Sequence, residues 1–293
     1  MEGYLLAVGT VGGIYALLAL GLNLQYGYTG LINFGVVASY AVGAYAAALL
    51  APQGVPLALG LAAAALLASA VAWPLGLVCL RLRGDALAIV TLAFAEILRT
   101  AIVSEDWLTA GPRGIPGIPR AFASLGPEAG AVADLLLVLV AVAAGILVTR
   151  QLVRSPFGRL IQAIRDDEDA VRAVGKDPAG PKLVVFMVGA ALAGLAGALY
   201  AHYLTYISPD QFVPLLTFYI WIAVIVGGAG RVAGAIAGAA LLTLFLEGSR
   251  FLRDVLPFVS EVQMASLRLG AIGLALILFT IHRPQGLLGR VAR

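Results

Sequence analysis

The chain has 293 residues, of which 61% are hydrophobic and only 12% charged, with a net charge of +3 and a mean hydropathy of +0.98. Soluble domains run at about 45–50% apolar and roughly 25% charged, so this chain cannot cover a water-facing surface and reads as a membrane protein. One cysteine, Cys79, excludes an intrachain disulfide and a cysteine metal site, and His202 and His282 lie too far apart in sequence to suggest zinc.

A bilayer core about 30 Å thick needs roughly 20 apolar residues of helix. That rule predicts about nine spans, near residues 4–25, 30–50, 55–80, 85–103, 131–153, 182–204, 213–230, 233–252 and 262–281. The first residues, MEGYLLAVGT, lack a basic n-region, so the first segment is expected to stay in the mature protein. The fold class expected is all-α: a single polytopic helical bundle over 1–293, with about 8–10 transmembrane helices.

The first junction is GLNLQYGYTGLINFG, residues 21–35. It brings Asn23, Gln25, Tyr26, Thr29 and Asn33 into an apolar stretch. Polar groups in hydrocarbon must face protein or a watery cavity, and irregular backbone is tolerated only there. One reading is a tight turn whose amides cap helix ends. The other is a break that lines a pathway for a polar solute. A second glycine-rich interruption, VGGAGRVAG at 226–234, lies in the other half, and paired breaks of this kind point to a transport route. The small-residue spacing at Gly189, Gly194, Gly197, Gly234 and Gly238 suggests close helix packing.

The fourth span holds Glu96, the deepest intramembrane charge, with Thr91 nearby and Arg99 three residues on. Glu96 and Arg99 can pair on one helix face. Glu96 and Thr91 are candidates for lining the pathway or an interhelical contact. Glu247 with Arg250, and Arg268 with Glu261, are further charges in or near spans.

Two loops are long. The one at 104–130 is rich in Gly and Pro and is expected to lie irregularly on the outer surface. The one at 154–182 carries much of the charge. It opens with Ser155-Pro156, a helix-start signal, and runs amphipathically to a stop at Gly175 and DPAGP. Leu160, Ile161, Ile164, Val171 and Val174 share one side at helical spacing. Such a ridge suits a docking helix better than a solvated connector. Lys and Arg gather in the loops at 81–84, 154–182, 231 and 282–293, which predicts that these are cytoplasmic, with the C-terminus inside and, for nine spans, the N-terminus outside.

AIRDDEDAVRAVG at 163–175 resembles the cytoplasmic coupling loop of ABC-importer permeases, whose pattern is E-A-A-x-x-x-G. Here Asp169-Ala170-Val171 replaces Glu-Ala-Ala, and Gly175 holds the glycine place. RSPFGRLIQAIRDDEDAVRAVG, AGLAGALYAHYLTYISPDQF and the terminal RPQGLLG are similar, in order, to the LivM-type permeases of the branched-chain amino acid ABC importers, as are GLNLQYGYTGLINFG and TLAFAEILR. The resemblance covers nearly the whole chain. It implies a bacterial or archaeal cytoplasmic membrane, a second related permease, two ATPase subunits and an extracytoplasmic solute-binding protein. It also implies a coupling surface at Arg159, Leu160, Ile161, Ile164, Arg165, Asp169, Ala170, Val171 and Gly175.

No G-x-x-x-x-G-K-S/T motif occurs, so ATP and Mg are expected on the partner ATPases and no cofactor or metal on this chain. Branched-chain or other neutral amino acids are the solutes expected, with urea or short amides as the alternative. An ion-coupled secondary transporter using Glu96 would need no docking ridge. No GxSxG motif or His–carboxylate cluster supports an intramembrane enzyme.

Overall fold

The computed structural model describes residues 2–79, 82, 84–255 and, beyond these, 266–267, 270–271, 273–274, 277–278, 281–282 and 285–288. Eleven α-helices are described, with one two-stranded ribbon. They are α1 (Glu2–Leu22), α2 (Val36–Leu50), α3 (Leu57–Cys79), α4 (Asp85–Ser104), α5 (Asp106–Thr109) and α6 (Pro127–Arg154). After these come α7 (Pro156–Asp166), α8 (Glu168–Ala173), α9 (Ala179–Leu204), α10 (Pro214–Gly227) and α11 (Val232–Val255).

Seven of these segments are long and apolar enough to cross a membrane, and the protein is an all-α, multi-pass bundle. α11 adds a shorter apolar stretch, Val232–Gly248. The span expected at 262–281 lies largely outside the described residues, as do Glu261 and Arg268; the side chain of Arg250 is likewise not described.

α1, α2 and α9 form the middle of the bundle. Small residues let their backbones touch: a methyl group on Gly43 of α2 would fall 1.9 Å from the Gly194 carbonyl oxygen of α9. α10 and α11 meet in the same way, with Gly238 against the Ala223 carbonyl. α3 and α6 lie at the periphery. Their exposed residues are apolar, as Leu66, Trp73, Leu136, Val140 and Leu147 show, and suit contact with lipid tails.

The 104–130 loop is more ordered than its Gly and Pro content suggests. Ile115–Pro116 (β1) pairs antiparallel with Tyr206–Ile207 (β2) at the end of α9. The amide of Ile118 donates to the Thr205 carbonyl at 3.0 Å, and the Tyr206 hydroxyl donates to the Arg113 carbonyl at 3.1 Å. The loop is thereby strapped across one end of the bundle.

The opposite end carries the charged 154–182 loop. Here the expectation of one amphipathic helix is corrected: α7 and α8 are separate, broken at Asp167, which is extended (φ −156°, ψ 102°). The cause is capping. Asp167 Oδ1 accepts from the Ala170 amide at 2.9 Å, and Glu168 and Asp169 place negative charge in the first turn of α8. The start and stop are as read. Ser155 Oγ accepts from the Gly158 amide at 3.2 Å, with Pro156 next. Gly175 is left-handed (φ 78°) and closes a Schellman pair, Gly175 N to Arg172 O and Lys176 N to Val171 O.

Candidate functional site

The first span does not stop at Leu22. It widens into a π-helical turn, Asn23–Gly27, and ends near Thr29. Residues 30–35 are irregular, and α2 begins at Val36. The amide of Phe34 donates to Thr91 Oγ1 at 3.0 Å. Thr91 stands six residues into α4, about 9 Å along its axis at 1.5 Å per residue. The interruption therefore reaches into the bundle and is more than a surface turn.

Its polar side chains are buried and partnered. Asn23 bridges to the second interruption: its Oδ1 accepts from the Gly230 amide at 2.8 Å and its Nδ2 donates to the Arg231 carbonyl at 3.1 Å. The two glycine-rich breaks, 208 residues apart, thus meet in one knot. Gly27 is required at the crossing, because a methyl group there would lie 2.2 Å from Asn23 Oδ1 and 2.3 Å from the Gly230 nitrogen.

Gln25 is turned the other way. Its Nε2 donates to the Phe186 carbonyl of α9 at 2.9 Å, and its Oε1 accepts from Asn33 Nδ2 at 2.9 Å. Gly189 leaves room for it. Asn33 Oδ1 accepts from the Gly35 amide at 2.7 Å, and the Asn33 carbonyl accepts from Trp221 Nε1 at 3.0 Å. Thr29 Oγ1 donates to the Leu24 carbonyl at 3.1 Å. Every buried amide here has a partner inside the chain, as low-dielectric surroundings demand.

Tyr26 leaves this knot for an aromatic shelf. Its ring lies 4.5 Å from that of Trp221, Trp221 stacks on Phe34 at 4.9 Å, and Phe34 meets Phe218 at 5.2 Å. Phe218 is exposed, and Tyr26 and Phe34 are half-buried. Phe34, Phe218 and Trp221 were not singled out in the sequence, because isolated aromatics in an apolar chain carry no distinguishing pattern.

Glu96 stands apart from the knot. Thr91 is fully buried, whereas the Glu96 side chain is 45% exposed on another face of α4 and accepts from Arg99 Nε at 3.1 Å. The expected i,i+3 pair exists. The association of Glu96 with Thr91 does not, because five residues turn a helix by about 140° beyond one full circle.

A side chain of the charged loop hydrogen-bonds the polar knot from the basic end. Arg165, on α7, donates from Nη1 to the Gly27 carbonyl at 2.8 Å, and from Nε and Nη2 to Asp166. The carbonyl is free for it because the wide turn and the Leu31 N to Gln25 O bond redirect the following amides.

The apolar ridge of the charged loop is turned inward. Ile161, Ile164 and Val171 are buried, and Ile161 packs with Leu24, Tyr28, Leu31, Leu87 and Val185. Leu160 is half-buried, and Arg159, Asp169, Ala170 and Gly175 are exposed. Val174 is 75% exposed. Glu168 holds the assembly to α9 through Lys182, which is itself buried. The ridge therefore seats α7 and α8 on their own bundle, and the face open to a partner is that of Asp166, Asp169, Ala170, Ala173 and Val174.

Residues 4–280 match the family described as branched-chain amino acid transport system, permease component. The chain is 36% identical to the high-affinity branched-chain amino acid transport system permease protein LivM of Escherichia coli K12, over 96% of this chain and 69% of that one. It is 30% identical to the permease BraD of Pseudomonas aeruginosa, over 96% and 93%. It is also 25% identical to the permease LivH of Escherichia coli K12, over 96% and 93%. No solved structure matches.

Proposed function

This chain belongs to the branched-chain amino acid transport system permease family, and from that premise we propose that it is one permease subunit of an ATP-driven importer of branched-chain or other neutral amino acids. It works in the cytoplasmic membrane by alternating access and carries out transport rather than catalysis. Its partners are a second related permease, two ATPases that hold ATP and Mg, and an extracytoplasmic solute-binding protein. The likeness of this chain to both LivM and LivH of one organism supports the pairing of two related permeases.

The observation that carries the reading is the bond from Arg165 to the Gly27 carbonyl. α7 and α8 form a platform at the basic end, with an exposed face suited to an ATPase. Arg165 ties that platform to a place where two spans are interrupted together. A push on the platform reaches Gly27, and through Asn23 it reaches the break before α11. Coupling then requires no long wire, only a junction with two arrangements. π-turns are frequent at such functional points.

The solute route borders the break and the shelf, with Asn23, Gln25, Tyr26, Thr29, Asn33, Thr91 and Glu96 as its polar and aromatic frame. The shelf of Tyr26, Trp221, Phe34 and Phe218 suits an aliphatic side chain better than urea or a short amide. Glu96 and Arg99, half-exposed in the middle of a span, cannot face lipid without cost, so their face meets the second permease or the water of the route.

Reconstitution with the partner subunits tests this. Leucine uptake should survive dissipation of the ion gradients and stop on ATP depletion. Uptake that follows the gradients instead would reject an ATP-driven importer in favour of an ion-coupled carrier.

A further inference from the structure

The last carbonyls of a helix have no partner within it. At the end of α10, where the second break begins, those of Val226 and Gly227 accept from the amides of Leu287 and Leu288, at 2.8 and 3.0 Å. The donors come from far along the chain, in the terminal RPQGLLG stretch. Gly286 makes the approach possible. It is buried and left-handed (φ 73°), and a methyl group on it would fall 2.6 Å from the nitrogen and Cα of Gly228 and from the Ile225 carbonyl oxygen. These neighbours are backbone and have no side chain to swing aside. Gln285, Leu287 and Leu288 are exposed, so the attachment rests mainly on two backbone bonds and one glycine contact.

We propose that residues 285–288 are a releasable clasp on the second break, closed in the resting arrangement of the junction and opened when the α7–α8 platform moves. The clasped backbone runs straight into the knot. Gly230 donates to Asn23 Oδ1, and the Arg231 carbonyl accepts from Asn23 Nδ2. The Gly27 carbonyl, one turn on from Asn23, is held by Arg165. A shift that reseats residues 228–231 therefore pulls on the two bonds from Leu287 and Leu288. A permanent brace gains by burying apolar side chains, whereas this segment leaves its leucines exposed. Water at this end of the bundle can take over both carbonyls, which puts the clasp at the low-stability end of the fold. A contact made in one of two arrangements favours that arrangement, and its loss shifts the population to the other. The clasp thereby restrains ATP hydrolysis until the loaded solute-binding protein engages. This rests on the ATP-driven cycle proposed for the complex.

The test is hydrogen–deuterium exchange at the amides of Leu287 and Leu288 in the complete permease–ATPase complex in lipid nanodiscs, paired with its ATP hydrolysis without the solute-binding protein. In wild type both amides should be protected at rest and exchange at least 10-fold faster after trapping with ATP and vanadate. Gly286→Ala should exchange fast in both states and raise hydrolysis at least 3-fold. The double variant Leu287→Ala/Leu288→Ala keeps both amides and should behave as wild type. Exchange at one rate before and after trapping overturns the proposal, and that comparison stands even where Gly286→Ala fails to assemble. Unchanged hydrolysis in an assembled Gly286→Ala complex also overturns it. So does raised hydrolysis in the double alanine variant, which would mark a docking role for the two side chains. A wild-type complex that never hydrolyses ATP rejects the importer reading and this proposal with it, whereas a working importer with unprotected amides rejects the clasp alone.

Discussion

Gln25 reaches α9 and residue 33 at once, and both bonds are buried. Gln25→Leu would leave the Asn33 Nδ2 donor without its partner and remove the bond that Gln25 adds to the Phe186 carbonyl of α9. An orphaned buried donor costs about 1–3 kcal/mol, so the variant should lower the Tm of the purified permease by several degrees. A Tm equal to wild type would mean that water reaches these groups and that the knot is looser than its geometry. Gly175→Ala is a milder change at a left-handed cap and should cost about 1 kcal/mol, read as a small shift in denaturation midpoint. At this scale the sequence showed which residues were out of place in an apolar chain, but not whom they touch. Asn23 to Gly230 is a contact between halves, and no local pattern encodes it.

α7 and α8 show how an element can be legible in outline and misread in use. Ser155, the apolar ridge and Gly175 marked the segment correctly. The DDED run at 166–169 is itself a helix-start signal, and Asp167 uses it to begin a second helix. The amphipathic period told that one face is buried, without telling against what. Because Ile164 is buried in its own chain, Ile164→Asp should strike the permease first, with a lower yield and Tm. Val174→Asp, at an exposed apolar position, should leave the permease folded and reduce ATPase co-purification. Full ATPase recovery with Val174→Asp would show that this face is merely solvated. Glu168→Ala strands the buried Lys182 charge and should destabilise by about 3–5 kcal/mol, since breaking a buried pair leaves its partner uncompensated.

For the whole molecule, composition alone gave the class, and 20-residue apolar runs gave the seven long spans now seen. The depth of the break at 30–35 was not legible, because it depends on Thr91 and Trp221, far away in the chain. The proposed orientation has a direct check. In a Cys79→Ala background, an impermeant thiol reagent on intact cells should label Ser124→Cys, in the strap, and spare Ala173→Cys, on α8. The reverse labelling would invert the bundle.

In the proposed transport cycle, force enters through α7 and α8 and passes by Arg165 to the junction of the two breaks. The decisive measurement is the ratio of ATP hydrolysed to leucine imported by the reconstituted complex, compared between wild type and Arg165→Met. The methionine keeps the hydrocarbon stem and removes the donor to the Gly27 carbonyl. Arg165→Met should give a complete complex with ATP hydrolysis retained, uptake reduced at least 10-fold and the ratio raised accordingly. An unchanged ratio, with the complex intact, would contradict that path.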